Sequence, residues 1–407
     1  MKRTLLISIS ALLIAALLTG CALLPADLFT SVSQNDPTEP TDNTVTVDAD
    51  YLAKLEEVVG LLDKVYIDGY DTDKLGDYLA EAAVAATGDR WSYYISAEDY
   101  AAYVESNENA YVGIGVTIKH ENEDDPGFTI ASVTHNSPAE EAGLKIGDMV
   151  VAVEGEAVDP EDMSAAQKKV RGEAGTDVTI TILRDGERLD VTITRNVIET
   201  EVVVYELLDT NDGYIKINNF DAHSARDTIA AIDDLVTRGA KSLIFDLRFN
   251  PGGRKDELVQ VLDYLLPEGP LFRSVDYLGN EEVDTSDASC LEMPMAVLIN
   301  GDSYSAAEFF AAALQEYDWA TVVGTQTCGK ANYQQTFLLS DGSAVAVWTG
   351  HYQTPNGVTL ADVGVTPDIT VEVDDETYAA LYYEQVEKAD DAQLQAAISA
   401  LNAGKSE

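Results

Sequence analysis

Two stretches of the chain share one order of elements, a buried strand, a tight turn and an amphipathic helix, and this repeat constrains the fold more than any other feature. The first has an apolar strand at 242–249, the turn Asn-Pro-Gly-Gly at 250–253 and a helix at 255–266. The second has an apolar strand at 295–300, turn-forming residues and a helix from Ala306. Two such units predict parallel β/α packing with both turns at one edge of the sheet.

Ser305 falls at the start of the second helix, where free backbone N–H groups and the positive end of the helix dipole favour an alkoxide. It is therefore a candidate nucleophile. The amides of Gly252 or Gly253 on the neighbouring turn, with that of Ala306, are candidates for an oxyanion hole. Two structural interpretations stay open, since Ser305-Ala-Ala-Glu308 also matches a helix capping box and Asn-Pro-Gly-Gly can be a plain turn.

A serine nucleophile needs a base, and the chain has only 4 histidines. Lys330 is the candidate base, because it lies between Gly329 and Ala331, two small residues that let packed backbone surround an amine. A free lysine has a pKa of about 10.4, and depressing it by roughly 3 units costs about 4 kcal/mol. The prediction of a Ser-Lys pair therefore requires Lys330 to be buried.

A different hydrolase chemistry would use Ser303, Asp341 and His351, which occur in the Ser-Asp-His order of α/β-hydrolases. The sequence around Ser303 lacks the second glycine of the nucleophile elbow, so this alternative ranks below the Ser-Lys pair.

A glycine-rich stretch, Val-Gly-Ile-Gly-Val at 112–116, precedes a region of alternating strands. Gly113 and Gly115 relax the backbone so that consecutive amides can converge on an anion, which is how a peptide's terminal carboxylate is captured while its chain adds to a sheet edge. The sequence at 137–148 looks like the helix, turn and strand of a PDZ domain, which we predict at 111–198. The alternative is that the glycines only bend a strand. The predicted peptide-binding residues are Gly113, Ile114, Gly115 and Val116.

Together these motifs resemble the C-terminal processing peptidases, the tail-specific serine protease family with a Ser-Lys dyad and a PDZ domain. The segment around Ser305 is similar to the family's Gly-Ser-Ala-Ser-Ala-Ser-Glu motif, and Asp-Leu-Arg-Phe-Asn-Pro-Gly-Gly at 246–253 to a second element. The segment around Lys330 is similar to Gly-Lys-Gly-x-x-Gln, with Ala331 replacing the second glycine. The resemblance implies that Ser305 is the nucleophile, Lys330 the base and Gln334 the residue that orients the lysine.

The resemblance implies a multidomain α+β and α/β fold. A helical N-terminal region at 49–110 is followed by the PDZ-like β-rich domain, a crotonase-like β/α protease core at 199–377 and a helical tail at 378–407. Apolar residues at helical spacing support the first region, whose family-implied role is a cap or a homodimer arm; an ordinary packed lead-in is the alternative. Within it, Asp-Arg-Trp-Ser-Tyr-Tyr at 89–94 resembles the family's Asp-Pro-Tyr-Ser-x-Tyr.

The chain carries 25 Lys and Arg against 72 Asp and Glu, a formal net charge of -47. Such a field repels nucleic acid, so nucleic-acid binding is excluded as a function. Residues 1–20 have the pattern of a secretory signal peptide, and Leu-Thr-Gly-Cys at 18–21 resembles a bacterial lipoprotein box with Cys21 as the lipidated residue. Residues 21–48 are a predicted flexible tether. A plain signal peptide or an uncleaved anchor is the alternative.

Cys290 and Cys328 remain in the rest of the chain, and a disulfide between them is left open. No His or Cys pair has ligand spacing, so neither a metal nor another cofactor is predicted. The sequence thus predicts a lipid-anchored, extracytoplasmic serine endopeptidase that acts on protein or peptide substrates with accessible C-termini. The non-enzyme alternative is a catalytically inactive, surface-anchored PDZ module that binds peptides.

Overall fold

The computed structural model describes residues 49–120, 125–160 and 162–403. The predicted signal peptide, Cys21 and the tether lie outside the described residues, so the predictions made on them stay predictions. Within those three ranges, no helix has both the length and the apolar character that crossing a membrane requires.

The N-terminal region is helical, as predicted, but it also contributes one strand to the core. Strand β1 pairs with a strand of the protease core through Tyr94 and Val345. The apolar residues of the first helix differ in burial, since Leu52 and Leu61 are 52% and 53% exposed while Leu55, Val59 and Leu62 are partly buried. The elements of the region are α1 (Ala49–Val65), α2 (Thr72–Ala85), β1 (Tyr93–Ile95) and α3 (Ala97–Asn107).

The PDZ region is joined to the rest of the chain by a two-stranded antiparallel ribbon, β2 (Ala110–Gly113) with β9 (Asn196–Glu199). Alternating Val and Ile residues build its core, in which Ile180 and Ile182 are fully buried. Its sheet has the order β3-β4-β5-β7-β8, with β6 beside β5. The elements between the ribbon strands are β3 (Val116–Lys119), β4 (Phe128–Val133), α4 (Pro138–Glu141), β5 (Met149–Val153), β6 (Glu156–Ala157), α5 (Met163–Val170), β7 (Asp177–Arg184) and β8 (Glu187–Thr194).

The protease core is built on a six-stranded sheet of order β10-β11-β12-β15-β16-β19, parallel from β11 onward. Both strands that precede the candidate catalytic turns are buried along their whole length, as their apolar sequences predict. The sheet strands are β10 (Val203–Leu207), β11 (Asp212–Ile217), β12 (Ser242–Asp246), β15 (Met295–Ile299), β16 (Ala320–Gly324) and β19 (Ile369–Thr370). Apolar helices cover one face: α6 (Ser224–Thr237), α7 (Lys255–Leu265) and α8 (Ala306–Glu316).

A second sheet carries the lysine loop and receives strand β1. Its order is β1-β18-β13-β14, and β17 also pairs with β18. Asp341 lies in the hairpin connection between β17 and β18. The strands are β13 (Gly269–Asp276), β14 (Glu281–Ser286), β17 (Asn332–Leu338) and β18 (Ala344–Gln353).

The predicted C-terminal tail forms two helices, α9 (Asp375–Tyr382) and α10 (Ala392–Ala403), and the second of these is a layer of the core. Its Leu394 and Ile398 pack on the face of the main sheet opposite α8. The buried guanidinium of Arg248 anchors the start of α10, because it donates to Asp391 Oδ2 at 2.7 Å and to Asp246 Oδ2 at 2.5 Å. The core therefore extends beyond the predicted boundary at residue 377.

Candidate active site

The two glycine-marked turns lie side by side, as the sequence predicts. Strands β12 and β15 are parallel neighbours, so the turns that follow them leave the same edge of the sheet. The Tyr304 amide donates to the Asn250 carbonyl at 3.1 Å. A Cβ atom on Gly252, whose φ is +90°, would lie 2.7 Å from Ser305 Cβ and 2.8 Å from the Ala306 nitrogen. Only glycine permits the turns to approach this closely.

Ser305 occupies the N-cap position of α8 with φ 58° and ψ -125°. A positive φ at a non-glycine residue is a strained conformation, and such strain clusters at functional sites. The Ser305 amide donates to Glu308 Oε2 at 2.9 Å, which is the glutamate half of a capping box. The helix start is therefore the position that both the capping and the nucleophile interpretations require.

The carboxylate of Glu308 joins the serine turn to the lysine loop. One oxygen, Oε2, accepts from the amides of Ser305 and Lys330 at 2.9 and 2.8 Å. The other, Oε1, accepts from the Thr327 hydroxyl at 2.5 Å and the Gly329 amide at 2.7 Å. Burial raises the pKa of Glu308, while the four donors favour its ionised form. The carboxylate thus fixes two segments that are distant in sequence.

The side chain of Lys330 is largely buried, as a lysine base requires. Its Nζ lies 4.7 Å from the centre of the Trp91 ring and 5.6 Å from that of Tyr304. Burial lowers the pKa of Lys330, and the charges of Cys328 and of nearby carboxylates oppose that shift. Within the described residues, Nζ makes no hydrogen bond, so in this conformation the amine is not bonded to Ser305.

Gln334 does not bond to Lys330. Its side-chain amide donates to the backbone carbonyl of Trp91, whose ring faces the lysine amine. The family resemblance implied that Gln334 orients the lysine; in the structure Gln334 contacts the backbone of Trp91 and not the lysine side chain.

The candidate oxyanion-hole amides differ in their availability. The Gly252 amide donates to Asn250 Oδ1 at 2.8 Å, so it is already engaged. The amides of Gly253 and Ala306 have no acceptor among the described residues. Of the two candidate glycines, Gly253 is therefore the one whose backbone amide is free, as the amide of Ala306 is. Gly252 provides the close approach to Ser305.

The four predicted peptide-binding residues line one groove of the PDZ region, between the β2–β3 connection and α5. The groove has a volume of about 230 Å³ and an apolar floor that includes Ile180 and Val170. Gly115, at φ +83°, separates the two strands, and a Cβ there would lie 2.3 Å from Ser137 Cβ. Gly115 therefore bends the backbone and lines the groove at once. The four residues are Gly113, Ile114, Gly115 and Val116.

The alternative triad is wrong, because its three residues do not meet. Ser303 is fully buried, and its hydroxyl donates to the Leu247 carbonyl at 2.7 Å and accepts from the Asn300 amide at 3.0 Å. Asp341 lies in the β17–β18 turn, and His351 lies near the far end of β18, a strand of 10 residues. At ~3.3 Å per residue, these two are separated by roughly 20 Å along the strand.

Cys290 and Cys328 are both free thiols, so the disulfide left open by the sequence does not form. Cys328 lies in the lysine loop, where its sulfur accepts from Arg90 Nη2 at 3.8 Å. Burial and then the charge of Glu308 raise the pKa of Cys328. In the part of the chain that the structure describes, no three His, Cys, Asp or Glu residues are arranged to hold a metal ion.

Sequence comparison identifies known relatives of both domains. The family model "Peptidase family S41" matches residues 211–371, and "PDZ domain" matches residues 112–194. The Carboxy-terminal processing protease CtpA of Bacillus subtilis is 32% identical over 338 residues, which are 82% of this chain and 72% of that protein. The Carboxy-terminal-processing protease of Bartonella bacilliformis is 33% identical, over 70% of this chain and 67% of that protein.

A Probable CtpA-like serine protease of Staphylococcus epidermidis is 32% identical over 79% of this chain, and the match spans 65% of that protein's length, slightly under two thirds. Among solved structures, the photosystem II D1 C-terminal processing protease matches with 26% identity and a TM-score of 0.45, covering 79% of this chain and 86% of that one. A putative S41 protease from Bacteroides fragilis matches with 20% identity and a TM-score of 0.48, covering 80% and 90%.

The Bacillus relative exceeds 30% identity over more than two thirds of its length, and the two domain models match this chain in the same order as the observed PDZ region and core. The chain therefore belongs to peptidase family S41, with a PDZ domain ahead of its peptidase domain.

Proposed function

We propose that this protein is a serine endopeptidase in which Ser305 is the nucleophile and Lys330 the general base. One observation carries the proposal: a single oxygen of Glu308 accepts from the amides of both residues, at 2.9 and 2.8 Å. This contact fixes the nucleophile turn relative to the lysine loop. The lowered pKa of the Lys330 amine supports the role of base, because only the neutral amine can take a proton.

In the first half-reaction, the neutral amine of Lys330 takes the hydroxyl proton of Ser305 as Oγ attacks the carbonyl carbon of the scissile bond. The carbonyl oxygen becomes an oxyanion, which accepts from the free amides of Gly253 and Ala306. Each such donor contributes about 3 kcal/mol to stabilising the transition state. The Lys330 ammonium then gives its proton to the departing amine as the C–N bond breaks.

In the second half-reaction, a water molecule attacks the ester on Ser305 and gives a proton to Lys330. The ester bond breaks, the N-terminal fragment leaves with its new carboxyl group, and the proton returns to Ser305 Oγ. Both half-reactions require the amine to move from its place beside the two aromatic rings to within hydrogen-bond distance of Oγ.

The test is mass spectrometry of the products from an unstructured peptide with an apolar C-terminus. We expect defined internal cleavage by the wild-type protein and none by Lys330→Ala or Ser305→Ala. The matched control is His351→Ala, which removes a histidine of the rejected triad and should cleave normally. Wild-type protein that binds the peptide and never cleaves it would leave the inactive peptide-binding module as the function.

We also propose that the PDZ groove binds the C-terminal tail of the substrate. The support is its lining, which includes Gly113 and Gly115 in a mostly apolar groove of about 230 Å³. Backbone amides there would bind the terminal carboxylate while apolar side chains enter the groove. Fluorescence anisotropy with a free-acid peptide and its C-terminally amidated twin tests this. Equal affinity for the two peptides would contradict carboxylate recognition.

For the location, we propose a lipid anchor on Cys21 that holds the protein on the outer side of the cytoplasmic membrane. The apolar run ending in Leu-Thr-Gly-Cys supports it, and multiple acyl chains give stable anchoring. Cells fed labelled palmitate should incorporate label into the wild-type protein and not into Cys21→Ser. Label on the variant would rule out this anchor site.

The exposed apolar residues of α1 support a homodimer through this helix. Leu52 and Leu61 are more than half exposed, which is unusual for an amphipathic helix without a partner. Sedimentation analysis of a Leu52→Glu, Leu61→Glu double variant should show a monomer where the wild type is a dimer. The control is Leu278→Glu, at a similarly exposed leucine (68%) elsewhere. A monomeric wild-type protein would end this proposal.

A further inference from the structure

The N-terminal region places an aromatic side chain inside the candidate active site. Trp91, which follows α2 in the chain, lies with its ring centre 4.7 Å from Lys330 Nζ. Tyr304, the residue before the nucleophile, has its ring 5.6 Å from the same nitrogen. The two ring centres are 5.8 Å apart, and the amine lies beside the pair, within the ~6 Å range of a cation–π interaction with each ring.

The backbone on both sides of Trp91 is held by hydrogen bonds. Its amide donates to Asp89 Oδ1 at 3.0 Å, and its carbonyl accepts from Gln334 of β17. The next residue, Ser92, accepts from the Trp348 amide of β18 at 3.1 Å. These bonds attach the segment to the same sheet that carries the lysine loop. The ring position is therefore fixed relative to Lys330 rather than left to a mobile surface loop.

We infer that Trp91 is a positioning residue for the proposed Ser-Lys chemistry: with Tyr304 it forms an aromatic wall against which the Lys330 amine lies, and this wall keeps water away from the amine. This inference rests on the proposed function, since it assigns to Trp91 an effect on the base of that reaction.

Two opposing effects act on the pKa of an amine beside such an aromatic wall. Aromatic faces attract an ammonium by about 0.5–2 kcal/mol, which favours the charged form. Exclusion of water favours the neutral form, and burial is the largest cause of the lowered pKa of Lys330. Removing the Trp91 ring should admit water and raise the pKa of the amine. The charged and titratable groups near this site are Asp89, Arg90, Asp302, Tyr304, Glu308 and Cys328.

The experiment measures kcat and KM for peptide hydrolysis between pH 6 and pH 10 in the full chain. For Trp91→Ala we expect kcat to fall at least tenfold at neutral pH, the acidic limb of the profile to move to higher pH, and KM to stay within a few-fold. Trp91→Phe keeps an aromatic face, so it should retain most of the wild-type kcat and the wild-type position of the acidic limb. Trp348→Ala is the matched control, because it removes a tryptophan beside the same segment that does not contact Lys330.

The outcomes separate this inference from the proposed function. Activity that survives Lys330→Ala would refute the Ser-Lys function itself. If activity depends on Lys330 but Trp91→Ala keeps the wild-type kcat and the wild-type acidic limb, the positioning role of Trp91 is refuted and the Ser-Lys function stands. An acidic limb that moves to lower pH in Trp91→Ala would refute that role as well. If Trp91→Ala lacks a cooperative unfolding transition, Trp91→Leu takes its place and must show the same limb shift.

Discussion

Replacing Glu308 by glutamine tests whether one carboxylate holds the active site together. The substitution keeps the size of the side chain and removes its charge. In the structure the two oxygens accept four hydrogen bonds, two from the serine turn and lysine loop on Oε2 and two from Thr327 and Gly329 on Oε1. Glutamine has one carbonyl oxygen, so it can accept only two of the four. Its NH₂ group would face the other two donors.

The structure gives an approximate size for the effect. Two lost hydrogen bonds to a charged acceptor, at about 1.5 kcal/mol each, amount to about 3 kcal/mol. Glutamine also relieves the cost of burying a charge, the effect that raises the pKa of Glu308, so part of this loss is offset. We expect the free energy of unfolding to fall by about 2 kcal/mol. Catalysis should fall by a larger factor, because Oε2 fixes the nucleophile and the base together.

Urea denaturation and peptide hydrolysis measure the two effects. The matched control is Glu316→Gln at the other end of α8, where the carboxylate accepts from Thr354 at 2.6 Å and Asn356 at 2.9 Å without contacting the active site. It should lose less than about 1 kcal/mol and keep its activity. If Glu308→Gln unfolds like the wild type and hydrolyses peptide at the same rate, then the carboxylate does not organise the site.

Three further substitutions probe other parts of the molecule. Ser303→Ala should lose about 2 kcal/mol of unfolding free energy in urea, for two buried hydrogen bonds, and still hydrolyse peptide. Arg248→Ala should lose about 3–5 kcal/mol, because it leaves two buried carboxylates unpaired, and amide hydrogen exchange should show early loss of α10. Burial, and then the charges of Glu257 and Glu108, raise the pKa of Asp221 from 3.8 to about 7, although the charge of Arg254 opposes the shift. The folded wild type therefore loses unfolding free energy as pH rises from 3.8 to about 7, by up to about 4 kcal/mol. Asp221→Asn should lack that loss, so its stability relative to the wild type should be greater at pH 8 than at pH 4. Parallel curves of unfolding free energy against pH for the two proteins would contradict this.

The sequence predicted the parts of the fold that depend on local pattern. The strands β12 and β15 and the helices that follow them were expected from apolar runs interrupted by glycine turns, with ends correct to within a few residues. Their side-by-side placement followed from the general geometry of parallel β/α units. Periodicity also predicted α1, but an amphipathic pattern does not say what covers the apolar face. In the structure much of that face is exposed.

The contacts of Glu308 could have been suspected from the sequence. It is the one charged residue within an otherwise apolar run at the start of α8, and every residue from Ala306 to Leu314 is buried. A carboxylate in such a run must find hydrogen-bond donors, because burying it without them costs several kcal/mol. The capping-box pattern predicts one donor, the Ser305 amide. The other three could not be predicted, since they belong to a loop that β16 separates from the helix.

The ion-pair network of Arg248 lies beyond what local pattern can predict. Its partner Asp391 is 143 residues away, and nothing in the spacing of either residue points to the other. Local pattern also cannot predict which residues surround the Lys330 amine. Burial of Lys330 was a stated requirement, yet the groups that bury it come from the N-terminal region and from the residue before the nucleophile.

The candidate active site therefore has two parts that are positioned in different ways. The turn with Gly252, Gly253 and Ser305 is fixed by adjacent strands of one sheet, so its geometry follows wherever that sheet forms. Lys330 is positioned by segments that meet only in the complete fold: Trp91 faces its amine, and Glu308 accepts from its backbone amide. Substitutions in the second group should thus alter the protonation and reach of the base while leaving the oxyanion donors in place. Their effect should appear in the pH profile of kcat before it appears in KM, because the proposed role of the lysine amine is proton transfer.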